Sequence, residues 1–100
     1  MTIKRGSLTL DVLTSRAYMD GNDLLLTQKE LALLYVLIQN EGRIMSAKEL
    51  YERVWNSPMN SDNKALKITL SRLRGKIEGS GFKVSFDKQG KGYSLVATTT

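Results

Sequence analysis

The chain has 100 residues, a net charge of +5, and neither cysteine nor histidine. This length corresponds to one domain with a modest core. The missing cysteines exclude disulfides and thiolate metal sites, and without histidine the commonest general acid–base group is absent. Because no carboxylate pair has the context of a metal site, we predict that the protein is not an enzyme and needs no metal or cofactor.

No segment of the sequence is suited to a membrane. The longest uninterrupted apolar run, residues 31–38, is far shorter than the roughly 18 residues that suggest a membrane span. The first residues, MTIKRGS, lack the apolar centre of a secretion signal. We therefore expect a soluble, cytoplasmic protein without a membrane partner.

The charge is distributed unevenly along the chain. Residues 1–63 carry a net charge of −1, and residues 64–100 carry +6. A basic segment attached to a near-neutral body is the electrostatic pattern expected of a protein that binds nucleic acid.

The first predicted element is an N-terminal antiparallel sheet over about residues 3–26. Leu8, Leu10 and Val12 alternate with polar residues, which is typical of a half-buried strand. The turn-forming segment Asp20–Asp23 predicts a hairpin. We expect three or four strands.

Two capping-box patterns predict the first two helices, over about residues 28–40 and 47–55. The segments Thr27–Glu30 and Ser46–Glu49 each place a hydroxyl three residues before a carboxylate, so that the two groups can satisfy free N–H groups of the first turn. Gly42 is suited to the left-handed conformation that ends the first helix.

The third predicted helix, over about residues 63–78, has a packing side and a basic side. At about 100° per residue, the apolar residues form one narrow stripe: Leu66, Leu70, Leu73 and Ile77. Asp62 stands where an N-cap belongs. The opposite side carries Lys64, Ile68, Ser71 and Gly75, and it is flanked by the basic residues Lys67, Arg72 and Arg74.

A hairpin is predicted over about residues 82–96. Apolar and polar residues alternate from Phe82 to Asp87, and a turn containing glycines at 90 and 92 follows. Lys88, Gln89 and Lys91 belong to this turn. The expected fold is therefore α+β, in a single domain over residues 1–100.

Five short motifs follow one another along the chain. They are Leu26-Thr27-x-x-Glu30, Gly42-Arg43-Ile44-Met45-Ser46, Leu50 to Trp55, Leu70-Ser71-Arg72-Leu73-Arg74, and Gly90-x-Gly92-Tyr93. In this order and spacing they resemble the winged helix-turn-helix effector domain of the OmpR/PhoB response-regulator family, over about residues 8–96. The resemblance implies a sequence-specific, duplex-DNA-binding domain of a bacterial transcriptional regulator from a two-component system.

In that family the third helix enters the major groove, and the hairpin, or wing, reaches the minor groove or the DNA backbone. Arg72 matches the arginine of the family's R-L-R element and is implied to reach bases or nearby phosphates. A guanidinium that grips guanine is worth about 1–3 kcal/mol of discrimination. Lys64, Lys67 and Arg74 are implied to anchor phosphates.

Two residues on the same face have open roles. Ile68 either contacts a thymine methyl group or is a partly buried boundary residue. Gly75, which costs a helix about 1 kcal/mol relative to alanine, either permits a close approach to DNA or marks early fraying of the helix.

The wing departs from the family at Gln89, where many members carry an arginine suited to a narrow minor groove. We therefore expect Lys88 and Lys91 to contact phosphates instead.

The resemblance also bears on partners. The loop before the third helix corresponds to a segment that in some members touches RNA polymerase, and here it is either such a contact or a plain connector: Asn56, Ser57, Pro58, Met59, Asn60 and Ser61. Family members normally carry a receiver domain, which this sequence lacks, so an excised domain and a stand-alone domain both remain open. The same holds for a monomer in solution and a tandem dimer on DNA.

The main alternative function is a winged-helix interaction module whose basic face binds an acidic protein. RNA is disfavoured because no exposed aromatic pair is available to stack bases. The spacing of Tyr35, Tyr51, Trp55 and Tyr93 predicts packing residues instead.

Overall fold

The structure, a computed structural model, describes residues 1–59 and 62–98. Its elements are β1 (Thr2–Arg5), β2 (Leu8–Asp11), β3 (Arg16–Met19), β4 (Asn22–Asp23), α1 (Gln28–Gln39), α2 (Ala47–Trp55), α3 (Lys64–Ile77), β5 (Phe82–Asp87) and β6 (Gly92–Ala97). The predicted order of sheet, three helices and hairpin is confirmed, and the sheet has four strands.

The N-terminal sheet is antiparallel, with strand order β1-β2-β3-β4. Leu8 and Leu10 point into the core as predicted. The extension of this half-buried pattern to Val12 is wrong, because β2 ends at Asp11 and Val12 is 36% exposed. The Asp11 carboxylate accepts hydrogen bonds from the amides of residues 13 and 14, a side-chain turn that leads the chain out of the strand.

The capping box of α1 is complete. Thr27 Oγ1 accepts a hydrogen bond from the Glu30 amide at 3.2 Å, and Glu30 Oε1 accepts one from the Thr27 amide at 3.0 Å. Gly42 adopts the predicted left-handed conformation after the helix, with φ +81°.

The start of α2 matches only half of its predicted capping box. Ser46 Oγ accepts a hydrogen bond from the Glu49 amide at 3.1 Å. The Glu49 carboxylate instead pairs with Arg43 at 3.1 Å and Arg53 at 3.3 Å. Two nearby guanidinium groups thus replace the single backbone N–H as its partners.

Helix α3 begins one residue later than predicted. Its N-cap is Asn63, which makes no side-chain capping bond, so the assignment of Asp62 as N-cap is wrong. Asp62 Oδ1 nevertheless accepts a hydrogen bond from the Lys64 amide at 2.8 Å and satisfies one free donor of the first turn. The predicted apolar stripe is fully buried: Leu66, Leu70, Leu73 and Ile77.

The core lies where the three helices meet the sheet and the hairpin. The aromatic residues predicted to pack are partly buried against it: Tyr35, Tyr51, Trp55 and Tyr93. Tyr51 and Trp55 stack with ring centroids 4.7 Å apart.

The segment between α1 and α2 fastens the hairpin to the helices. Met45 and Tyr93 exchange two backbone hydrogen bonds, at 2.7 and 2.8 Å, and the Gly42 amide donates to Leu95 O at 2.9 Å. A Cβ atom at Gly92 would lie 2.4 Å from Met45 O. Only glycine fits this close approach, which sets the position of the wing relative to the helices.

Candidate nucleic-acid interface

One exposed face of α3 carries all the helix residues predicted to contact DNA. They are Lys64, Lys67, Ile68, Ser71, Arg72, Arg74 and Gly75. Lys64, Ile68, Ser71 and Gly75 lie opposite the buried leucine stripe, and the basic residues Lys67, Arg72 and Arg74 flank them. Ile68 is 43% exposed, so its side chain is accessible on this face.

The three predicted wing residues lie together in the turn between β5 and β6. Lys88, Gln89 and Lys91 are all exposed there. Asp87 Oδ1 accepts a hydrogen bond from the Gly90 amide at 2.8 Å, and Lys91 adopts φ +54°. The turn therefore presents two ammonium groups at the tip of the hairpin.

Arg74 connects α3 to the hairpin, a contact that the sequence analysis does not predict. Its Nε donates a hydrogen bond to Val84 O at 3.2 Å, and its guanidinium carbon lies 5.8 Å from the centre of the Tyr93 ring. The two elements meet only in the folded protein, so no local pattern indicates this contact. It fixes the guanidinium at the junction of helix and wing.

Ion pairing differs sharply between the two parts of the chain. Among the described residues, five of the seven basic residues before position 64 form ion pairs, but only Lys76 does so after it. Within residues 1–59 and 62–98, the cations of the predicted interface thus have no carboxylate partner: Lys64, Lys67, Arg72, Arg74, Lys88 and Lys91. Their charge is available to an external anion.

Lys76 is the exception, because it forms an ion pair with the buried Glu30. Lys76 Nζ lies 2.7 Å from Glu30 Oε1 and donates to Leu25 O at 3.0 Å. Burial alone would raise the pKa of Glu30, but hydrogen bonds from Lys76 and the Thr27 amide outweigh it and lower that pKa. The sequence analysis assigned Glu30 to capping only, because no local pattern relates α1 to the end of α3.

The predicted polymerase loop is described only in part. Asn56 is a left-handed C-cap with φ +55°, Pro58 is exposed, and the Met59 amide donates to Glu52 Oε2 at 3.4 Å. Asn60 and Ser61 lie outside the described residues.

Two other kinds of feature are absent from the part of the chain that the structure describes. No helix within residues 1–59 and 62–98 is long and apolar enough to cross a membrane. In the same part of the chain, no group of three or more Asp or Glu side chains is placed to hold a metal ion.

Two solved structures with this arrangement are DNA-binding domains. The DNA-binding domain of CpxR from E. coli superposes with a TM-score of 0.86 at 27% identity, covering 99% of both chains. The Klebsiella pneumoniae RstA DNA-binding domain, solved in complex with the RstA box, has a TM-score of 0.82 at 23% identity and covers 95% of this chain and 96% of its own. These matches establish the winged-helix fold.

Sequence comparison gives the family. The transcriptional activator protein IrlR of Burkholderia pseudomallei is 34% identical over 94 residues, which are 93% of this chain and 41% of IrlR. The chain therefore spans about two fifths of the length of this relative. The family described as transcriptional regulatory protein, C terminal, matches residues 21–95. The chain thus belongs to this family, the winged-helix effector domains of OmpR/PhoB-type response regulators.

Proposed function

We propose that this chain binds duplex DNA sequence-specifically, with α3 in the major groove and the wing on the neighbouring backbone. The observation that carries the proposal is the group of exposed cations on α3 and the wing, which lack carboxylate partners among the described residues. A duplex supplies a row of phosphates that such cations neutralise. Family membership and the likeness to the CpxR DNA-binding domain support it.

The residues of α3 divide into base-contacting and phosphate-contacting groups. Arg72 is the proposed base reader, because its exposed guanidinium lies on the outward face without an ion-pair partner in the described chain. Lys64 and Lys67 anchor phosphates. Arg74 does the same from the junction with the wing, because its Nε donates to Val84 O while its two outer nitrogens make no hydrogen bond within residues 1–59 and 62–98.

The wing adds contacts to the DNA backbone but contributes little to selectivity for the base sequence. Lys88 and Lys91 contact phosphates on the strand beside the occupied groove, and Gln89 lies between them. Point charges at the end of a hairpin position the protein on the duplex. Sequence selectivity therefore resides in α3.

We propose that the domain serves in a cytoplasmic transcription regulator of a two-component system, as its likeness to the transcriptional activator IrlR supports. The loop at residues 56–61 is either its contact with RNA polymerase or a plain connector, and the domain acts either as a monomer in solution or as a tandem dimer on DNA.

The test is salt-dependent binding of the chain to duplex DNA selected from a random library. The logarithm of affinity should fall with the logarithm of salt concentration at a slope of about −0.9 per neutralised phosphate. Lys67→Ala should reduce the steepness by about 0.9, the share of one phosphate. Lys4→Ala is the matched control, because it removes the same charge from an exposed position on β1 and should leave the slope unchanged.

Failure of the wild-type chain to bind any duplex at low salt would contradict the proposal. That outcome would favour the alternative in which the basic face binds an acidic protein partner.

A further inference from the structure

Phe86 is a large apolar side chain that the fold leaves half exposed beside the proposed interface. It is 51% exposed, whereas Val84, two residues earlier in β5, is buried. Because alternate residues of a strand share one face, Phe86 continues the core-facing side of the hairpin past the edge of the core. Its ring therefore lies between the body of the domain and Lys88 at the wing turn.

Contacts on the hairpin orient this ring. Tyr93 is directly opposite Phe86 in the register of β5 and β6. The two ring centroids are 5.0 Å apart with planes inclined by 53°, a favourable aromatic geometry. Arg74 lies 5.8 Å from the Tyr93 ring on the side of α3. The three side chains form a continuous surface that joins the helix to the wing.

The charges around this surface favour an anionic occupant. Arg74 lies beside Tyr93 on the α3 side, Lys88 follows Phe86 by two residues at the wing turn, and neither has an ion-pair partner in the described part of the chain. The adjacent Asp87 accepts a hydrogen bond from the Gly90 amide, and as the next residue along β5 it points to the opposite face of the strand from Phe86. An apolar ring between cations suits a polyanion that also presents an apolar patch, and the sugar–phosphate backbone of DNA offers both.

We propose that Phe86 packs against a deoxyribose of the bound duplex, in the notch between α3 and the wing, and thereby positions the helix in the groove. This inference rests on the proposed DNA binding. Sugar contacts position a protein without reading sequence, so Phe86 strengthens binding to every duplex alike. An apolar contact releases no counterion, so it leaves the salt dependence unchanged.

The test compares Phe86→Ala with the wild-type chain on the selected duplex and on a random duplex. Affinity should fall by about tenfold for both, the scale of a truncated aromatic contact at an interface, with an unchanged salt slope. Phe86→Leu should retain most of the affinity, because it keeps an apolar side chain in the notch. Leu13→Ala is the control for apolar exposure, since Leu13 is 84% exposed in the β2–β3 turn, and it should bind like wild type.

Other outcomes would overturn the role of Phe86. If Phe86 only stabilised the wing, Phe86→Ala would displace Lys88 and Lys91 and flatten the salt slope. A loss confined to the selected duplex would indicate a base contact, and an unchanged affinity would indicate no contact. Each of these three results can be obtained only if the wild-type chain binds DNA. If the wild-type chain does not bind DNA, the proposed function itself is refuted.

Discussion

At the scale of single residues, we propose that sequence selectivity depends most on Arg72. It is exposed on α3 and forms no ion pair within the described part of the chain. A guanidinium in this setting can grip a guanine edge with two hydrogen bonds, which lysine cannot reproduce. Its basic neighbours on the helix are proposed to contact phosphates, which are the same for every base pair.

Arg72→Ala should therefore weaken binding to the selected duplex by about 1–3 kcal/mol and binding to a random duplex by much less. Lys88→Ala should weaken both alike, because it removes only a phosphate contact. Paired titrations of each variant on the two duplexes measure this difference. Equal losses on both duplexes for Arg72→Ala would remove it as a base reader.

At the scale of elements, the position of the wing depends on one close backbone contact. Gly92 passes Met45 O so closely that a Cβ atom would overlap with it. The paired backbone hydrogen bonds of Met45 and Tyr93 depend on that approach. The hairpin is therefore docked to the α1–α2 segment as well as to α3.

Gly92→Ala should destabilise the domain by about 1–3 kcal/mol, the usual cost of overpacking, and weaken DNA binding by shifting the wing. Gly75→Ala is the matched control, since a Cβ there meets nothing within 4 Å. It should stabilise the helix by about 0.5–1 kcal/mol. Urea unfolding of both variants measures these changes, and a Gly92→Ala variant as stable as wild type would refute the packing argument.

Gly75→Ala also decides between the two roles left open for this glycine. Retained DNA affinity would assign it to a locally weak helix end, and lost affinity to close approach of the backbone to DNA.

At the scale of the whole molecule, the two parts of the chain differ in net charge and also in how many of their basic residues form ion pairs. The near-neutral body pairs most of its basic residues internally, and the basic remainder exposes them. The one internal pair of the basic part, Lys76 with Glu30, joins the end of α3 to the start of α1. The family to which the chain belongs consists of transcription regulators, which confirms the prediction that it is not an enzyme.

The Lys76–Glu30 pair should make the stability of the whole domain sensitive to acid. The pKa of Glu30 is lowered in the folded protein from its ordinary value of 4.5. A lowered pKa adds stability that is complete above the ordinary value and is lost as pH falls through the folded value. The free energy of unfolding should therefore fall more steeply in acid for wild type than for Glu30→Gln.

Backbone hydrogen bonds also lower the pKa values of Asp11 and Asp23, but both remain in the variant, so the difference isolates Glu30. At neutral pH, Lys76→Met should cost roughly 1–3 kcal/mol, less than for a fully buried pair because Lys76 is partly exposed. Parallel acid profiles for wild type and Glu30→Gln would refute the assignment.

Local patterns in the sequence were sufficient to predict the order of helices and strands and the outward face of α3. Helical periodicity placed the leucine stripe inward and Arg72 outward, because a helix repeats its direction every 3.6 residues whatever it packs against. The Thr27–Glu30 box likewise depends on residues within one turn. At Asp62 and Glu49, more than one nearby hydrogen-bond or ion-pair partner was available to the carboxylate. The sequence alone did not decide which partner each carboxylate would bind.

The tertiary structure decided the contacts between distant residues. The pairing of Lys76 with Glu30, the attachment of Arg74 to Val84 and the exposure of Phe86 each depend on how separate elements meet. The periodicity of one helix or strand does not indicate which residues of another helix or strand will contact it. The sequence by itself therefore determined a winged helix with a basic face, and only the packing of its elements determined which cations are free and how the wing is held beside the helix.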